Sequence, residues 1–343
     1  MKLSVLMPSH NVGARVNVNI LNACSMGMDG VEVIIRDNSG NEEKRQFLSK
    51  IHEKNCKIIS VDECPGVDNH RHLLEEAKGE FVFVVADDDF PNAMAIPSIL
   101  AEIEKIRDQP DVVGTTGVFI MDVNDETNST FVNFNTFDAP SPLQRFQNFL
   151  DSDRCHSIFQ YSPLRPNILK SVLAFSSTLP VYLSHTDWLM NCMFLMHGRL
   201  TPLNRFLYQY INANWAGGEM CLKSDAHYFR MAGLDTSGVR LQWLIAVFEG
   251  AQTYASKYQG VQMPERQRQG LAALWVRKWF EHFSVNTWAR QSEDGKFDQQ
   301  AIALAKKWKD EKEIKLDELL PDIAEHYALS SPDIAQRYYE FWK

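Results

Sequence analysis

The run Val84-Val85-Ala86-Asp87-Asp88-Asp89 carries an apolar segment into three consecutive carboxylates. Adjacent negative charges repel, so a fold retains them where a cation or solvent compensates. Hard oxygen donors at the end of a strand suit Mg²⁺ or Mn²⁺ bridging a diphosphate, and a solvated acidic turn is the plainer alternative.

Chemistry of that kind needs elements that bring several strand ends together. Apolar or β-branched runs at residues 3–7, 31–35, 57–61 and 81–86 read as strands. Between them, residues 42–54 and 69–78 have helical length and mixed polarity. Alternation on this scale predicts a mostly parallel sheet flanked by helices, with the ligand crevice at the C-terminal ends of the strands. Further strands are expected within residues 112–132, a helix around 188–196 and a polar loop over 212–224. Past Gly238 the character changes to amphipathic helices at 239–258, 265–290, 298–312 and 316–342, with boundary signals at Gly260, Pro264, Gly295 and Pro332. The expected division is a catalytic domain over 1–235 and a helical domain over 236–343.

The 343 residues are 45% hydrophobic and 23% charged, an ordinary globular composition with length for a large domain and a smaller one. The formal net charge of -9 disfavours a nucleic-acid partner, which calls for a clustered Lys/Arg surface. Six scattered cysteines without a C-x-x-C pair suggest neither a zinc site nor a secreted disulfide framework, and the N-terminus reads as a strand rather than a signal peptide. Both features point to a cytoplasmic protein.

Leu3-Ser4-Val5-Leu6-Met7-Pro8-Ser9-His10-Asn11 resembles the first strand and donor loop of family 2 glycosyltransferases. Glu32-Val33-Ile34-Ile35-Arg36-Asp37-Asn38-Ser39 is similar to their second motif, residues 66–80 to the helix before their D-x-D strand, and Asp87-Asp88-Asp89 to the D-x-D itself. The resemblance implies an α/β fold of the GT-A type with a C-terminal α-helical extension, and inverting, metal-dependent sugar transfer from a nucleoside diphosphate sugar, with uridine favoured. It places Pro8, Ser9, His10, Asn11 and Asp37 on the nucleoside, where an aspartate can accept a hydrogen bond from a uracil N–H; the plainer role for Asp37 is to cap the Asn38-Ser39-Gly40 turn. It places Asp87 and Asp88 by the donor and Asp87 and Asp89 on Mn²⁺ or Mg²⁺. The usual A-R-N-x-G is replaced by Asn69-His70-Arg71-His72-Leu73, in which Asn69 and Arg71 remain donor contacts although the positional match is lost.

By the same resemblance Thr186-Asp187-Trp188 matches an E-D-W segment, making Asp187 the general base that takes the acceptor proton; the alternative is a helix N-cap. Trp188, Trp215 and Glu219 become acceptor contacts, because sugars stack on aromatic faces and Gly217-Gly218 can hinge a lid. The expected partners are a nucleotide-sugar donor and a glycan or lipid-linked acceptor. Trp243, Trp275, Trp279, Phe280, Phe283 and Trp288 read as core or a homo-oligomer interface, and Arg266, Arg268, Arg277, Lys278 and Arg290 as a basic face for peripheral membrane contact. The main rival enzyme is a nucleotidyltransferase, which would carry an early Gly-rich phosphate loop with basic residues where residues 9–15 hold only Gly13 and Arg15; a dinucleotide enzyme is disfavoured because no G-x-G-x-x-G follows the first strand. A non-catalytic nucleotide-sugar-binding protein on the same fold is a further rival.

Overall fold

The computed structural model describes residues 1–64, 66–122, 129–132, 137–151, 161–183, 185–211, 218–285, 299–309 and 313–342. Near-continuous apolar runs suit strands of a parallel sheet, buried in its middle and half-buried where β3 forms an edge. Four of them, β1 (Leu3–Ser9), β2 (Val31–Asp37), β3 (Cys56–Ser60) and β4 (Phe81–Val84), form a parallel sheet in the order β3-β2-β1-β4. Helices α1 (Ala14–Cys24), α2 (Glu42–Leu48) and α3 (Gly66–Glu76) make the crossovers. The register sets Ser9 beside Asp37 and Asp37 beside Ser60, while Leu6 pairs with Val84. Parallel pairing therefore gathers the chemistry-bearing residues at one edge of the sheet.

A second sheet follows. Strand β5 (Phe90–Pro91) and helix α4 (Ile96–Ile106) lead into β6 (Val112–Asp122) and β7 (Ser129–Val132). After α5 (Pro142–Asp151), α6 (Pro166–Ser176) and α7 (Thr186–His197), the long β8 (Arg199–Ile211) completes the order β5-β8-β6-β7. Antiparallel pairing sets Pro91 opposite Tyr208, so β8 runs past the acidic triplet.

The remainder is helical: α8 (Gly218–Met231), α9 (Gln242–Gln252), α10 (Glu265–Val285), α11 (Gln299–Lys309), α12 (Leu316–Ser330) and α13 (Pro332–Trp342). Residues 218–224, expected as loop, are the start of α8; their polar side chains did not reveal the helix. From Trp243 to Gln252 every residue of α9 is buried. At Gly250 a Cβ would overlap the Trp275 indole, whose Nε1 donates to the Ala246 carbonyl at 2.9 Å, so only glycine permits that approach. Trp243, Trp275, Trp279 and Phe280 are core of the single chain, while the side chain of Phe283 and all of Trp288 lie outside the described residues. Arg268 is corrected from a surface role: it is buried and donates to the carbonyls of Tyr258 and Val261. Lys278 faces Asp151 at 3.8 Å, and Arg290 lies outside the described residues. Among the described residues no helix is long and apolar enough to cross a membrane.

The chain divides into two compact units. One comprises Met1–Arg145, Arg154–Ser177 and Met190–Ala216; the other comprises Phe146–Asp153, Thr178–Leu189 and Gly217–Lys343. In the second unit, the fully buried Glu249 of α9 accepts from the Tyr338 hydroxyl of α13 and pairs with His185 Nε2, each at 2.5 Å. A buried carboxylate is retained when both oxygens are engaged, and here the two partners link α13 and the residue preceding α7 to one side chain.

Candidate active site

The first-unit site begins at the end of β1. Ser9 is buried, whereas His10 and Asn11 are exposed and the chain turns into α1 at Gly13, whose φ of 117° favours glycine. The Asp87 carboxylate fastens this loop. Its Oδ2 accepts from Ser9 Oγ at 2.8 Å and from the backbone N–H groups of His10 and Asn11 at 2.9 Å each; its Oδ1 accepts from Asn11 Nδ2 at 2.7 Å. From α1, Asn19 Nδ2 donates to the Asp87 carbonyl at 3.0 Å. Pro8, the last expected loop contact, is half-buried in the pairing with Arg36.

Lys44 lies beneath the same loop. Asn41 caps α2 by accepting from the Lys44 N–H at 2.9 Å, which sets Lys44 in the first helical turn. A cation there opposes the helix dipole and needs compensation. It finds Asp37 Oδ1 at 3.0 Å, Asp87 Oδ2 at 3.6 Å, Ser9 Oγ at 2.8 Å and the Asn11 carbonyl at 2.6 Å. Sequence reasoning missed this buried lysine; Asn41 at N-cap spacing ahead of a first-turn Lys was the available signal.

Asp37 makes the turn-capping contact and keeps one carboxylate oxygen unmatched. Its Oδ1 accepts from the Ser39 N–H at 3.2 Å, the turn-capping contact, while its fully buried Oδ2 has no hydrogen-bond partner among the described residues. A buried carboxylate oxygen left unmatched is costly, and a ligand N–H would satisfy it. Asn69 is held in the same layer, accepting from Arg36 at 2.6 Å and donating to Asn38 Oδ1 at 3.0 Å and to the Arg36 carbonyl at 3.1 Å. Arg71 is exposed beside Asp68 at 3.4 Å.

The three aspartates of the triplet have separate surroundings. Asp89 is buried, with Oδ2 accepting from the Tyr208 hydroxyl and Oδ1 from the Ile211 N–H, both at 2.8 Å, so β8 holds it from the far side. Burial, then the neighbouring Asp88, pushes its pKa up to about 7. Tyr208 also accepts from the Ala86 N–H at 2.9 Å. Asp88 is half-buried, and among the described residues no other residue donates a hydrogen bond to its carboxylate. Burial and Asp87 raise its pKa, with Arg15 opposing. Both Asp87 oxygens are therefore occupied by protein donors, and Asp88 offers the open oxygens. A divalent cation that keeps water and takes phosphate oxygens needs only one or two carboxylates, and within the triplet Asp88 has the open oxygens, since both Asp89 oxygens also accept from protein donors. Among the described residues no cluster of three or more His, Cys, Asp or Glu forms a metal cage.

In the second unit, Asp187 is half-buried one residue inside α7, not ahead of it. The hydroxyl of Tyr182 donates to its Oδ1 at 2.8 Å. Tyr228 of α8 packs edge-on against Tyr182, and its pKa is pushed up to about 12 by burial, then by Asp187 and Asp225. Trp188 is half-buried, edge-on to Phe149 and Trp279 at centroid separations of 5.6 and 6.0 Å. Trp215 lies outside the described residues; Glu219 is in the first turn of α8 with its side chain outside them.

Residues 4–170 match the family described as glycosyl transferase family 2. The crystal structure of S. aureus TarS 1-349 is 16% identical, with 100% of this chain and 92% of that chain covered and a TM-score of 0.53. The same protein in complex with UDP-GlcNAc is 15% identical, with 96% and 92% covered and a TM-score of 0.51. A longer TarS structure is 15% identical, with 95% of this chain and 55% of that chain covered and a TM-score of 0.52. No curated protein matches the chain in sequence. These likenesses establish the GT-A fold, an α/β domain with a helical C-terminal region.

Proposed function

We infer that this glycosyltransferase, whose residues 4–170 form a family 2 domain, transfers a sugar with inversion from a nucleoside diphosphate sugar to a hydroxyl of a glycan or lipid-linked acceptor. The observation that carries the reading is the division of labour within the triplet. Asp87 is consumed in holding the donor loop, Asp89 is held by β8, and Asp88 presents open oxygens at the C-terminal edge of the parallel sheet.

In this reading the His10-Asn11 loop and Asp37 receive the nucleoside, and the unmatched Asp37 Oδ2 accepts a base N–H. A UDP-sugar is the donor to test first, as uracil carries such a group. Asp88, with Asp89 beside it, would hold Mn²⁺ or Mg²⁺, and the ion when bound would offset charge on the leaving diphosphate. Asp187 takes the proton from the acceptor hydroxyl as its oxygen attacks the anomeric carbon and the bond to the diphosphate breaks. The Tyr182 hydroxyl orients the carboxylate for that transfer.

Calorimetry of nucleoside diphosphate binding with Mn²⁺ and with EDTA tests the donor side. The expected result is at least about 10-fold tighter binding with metal, lost in Asp88→Asn, because uncompensated carboxylates repel the diphosphate. Equal affinity in both buffers would remove the metal from the reading.

A further inference from the structure

Cys24 closes α1 and Cys56 opens β3, 32 residues apart in sequence, with their Sγ atoms 3.0 Å apart. Neither takes part in the donor or acceptor chemistry above. The approach is built into the backbone on both sides. The Gly27 N–H donates to the Cys24 carbonyl at 3.1 Å, the Val33 N–H donates to the Asn55 carbonyl at 2.8 Å, and a Cβ at Gly27 would stand 3.1 Å from Asn55 Cβ. Cys24 is buried and Cys56 half-buried, so a peroxide comes to Cys24 from the Cys56 side of the pair.

We propose that Cys24 and Cys56 are a convertible dithiol, oxidised by peroxide to a disulfide that fastens α1 to the edge strand of the parallel sheet. The hydrogen bond between the two sulfurs lowers the Cys24 pKa, while that bond and then burial raise Cys56. Cys24 is accordingly the first thiolate. Its sulfur attacks one peroxide oxygen, the O–O bond breaks, and the departing hydroxide takes up a proton as water, leaving a sulfenic acid on Cys24. The Cys56 sulfur then attacks the Cys24 sulfur; the S–S bond forms, the S–O bond breaks, and hydroxide leaves with the Cys56 proton as a second water. The two thiols supply the two electrons that reduce the peroxide.

Reduced full-length protein treated with hydrogen peroxide, alkylated and digested without reductant tests the pair. The expected product is a peptide cross-linked between Cys24 and Cys56, reversed by dithiothreitol, with a melting temperature several degrees above that of the reduced protein. Cys64→Ser should retain the cross-link, whereas Cys24→Ser and Cys56→Ser should each lose it. Alkylation of both thiols after treatment, or a persistent Cys24 sulfenic acid trapped by dimedone beside an alkylatable Cys56, would overturn the proposal. Mapping the wild-type chain decides the matter even where a cysteine variant does not fold.

Discussion

At the scale of single residues, neighbouring carboxylates of one type are separated by what surrounds them. Asp37 carries a buried oxygen without a donor, so we expect Asp37→Ala to weaken nucleoside diphosphate binding by about 10-fold or more while leaving its metal dependence intact. Titration calorimetry measures this; an unchanged dissociation constant would return Asp37 to the Ser39 turn contact alone. Asp187 lies inside α7 with a tyrosine hydroxyl on one oxygen. Asp187→Asn keeps the shape and a hydrogen-bond acceptor but removes the basic oxygen. Donor affinity should stay near wild type while turnover falls by about 10²-fold or more, followed as nucleoside diphosphate release. Full turnover would end the base assignment.

At the scale of elements, helix α7 runs from Thr186 to His197 and its last turn carries a pH-dependent cost. Burial pushes the His197 pKa down from the ordinary 6.5 to about 4, so the folded protein holds the ring neutral where the unfolded chain protonates it. A depressed folded pKa means the full stabilisation is present above the unfolded pKa and is lost as pH falls from there through the folded one. Between pH 6.5 and about 4 the loss reaches on the order of 3 kcal/mol at most. In His197→Gln that portion of the acid dependence should vanish, so thermal melts from pH 7 to pH 4 should fall less steeply than in the wild type. Parallel pH profiles would show that His197 protonates equally in both states. Element boundaries obeyed local chemistry where caps were strong, as at Asn41 ahead of α2 and Pro332 at the start of α13.

At the scale of the whole molecule, the second unit draws its pieces from distant parts of the chain. Phe146 packs edge-on to Tyr254 at 4.9 Å, Trp188 to Trp279 at 6.0 Å, and the Tyr254 hydroxyl donates to the Leu189 carbonyl at 3.1 Å. A chain ended after residue 235 would retain Phe146, Leu189 and Trp188 without these partners. We expect it to be insoluble or to melt well below the full chain, checked by expression and differential scanning fluorimetry; a cooperative melt at the full-length temperature would support an independent domain over 1–235.

Much of the first unit was legible in the sequence because strand periodicity and strand-ending polar clusters are local. The four apolar runs, their parallel arrangement and the gathering of Asp37 and the acidic triplet at strand ends follow from alternating β and α segments. The family resemblance followed from four motifs in order. Only the tertiary structure decided which carboxylate is consumed and which is open, because that depends on donors 76 to 78 residues away in the loop and 122 residues away on β8. The buried place of Lys44 and the proximity of Cys24 to Cys56 were decided in the same way. Hydrogen bonds act over about 3 Å, and no periodicity along a chain specifies which distant side chains come that close.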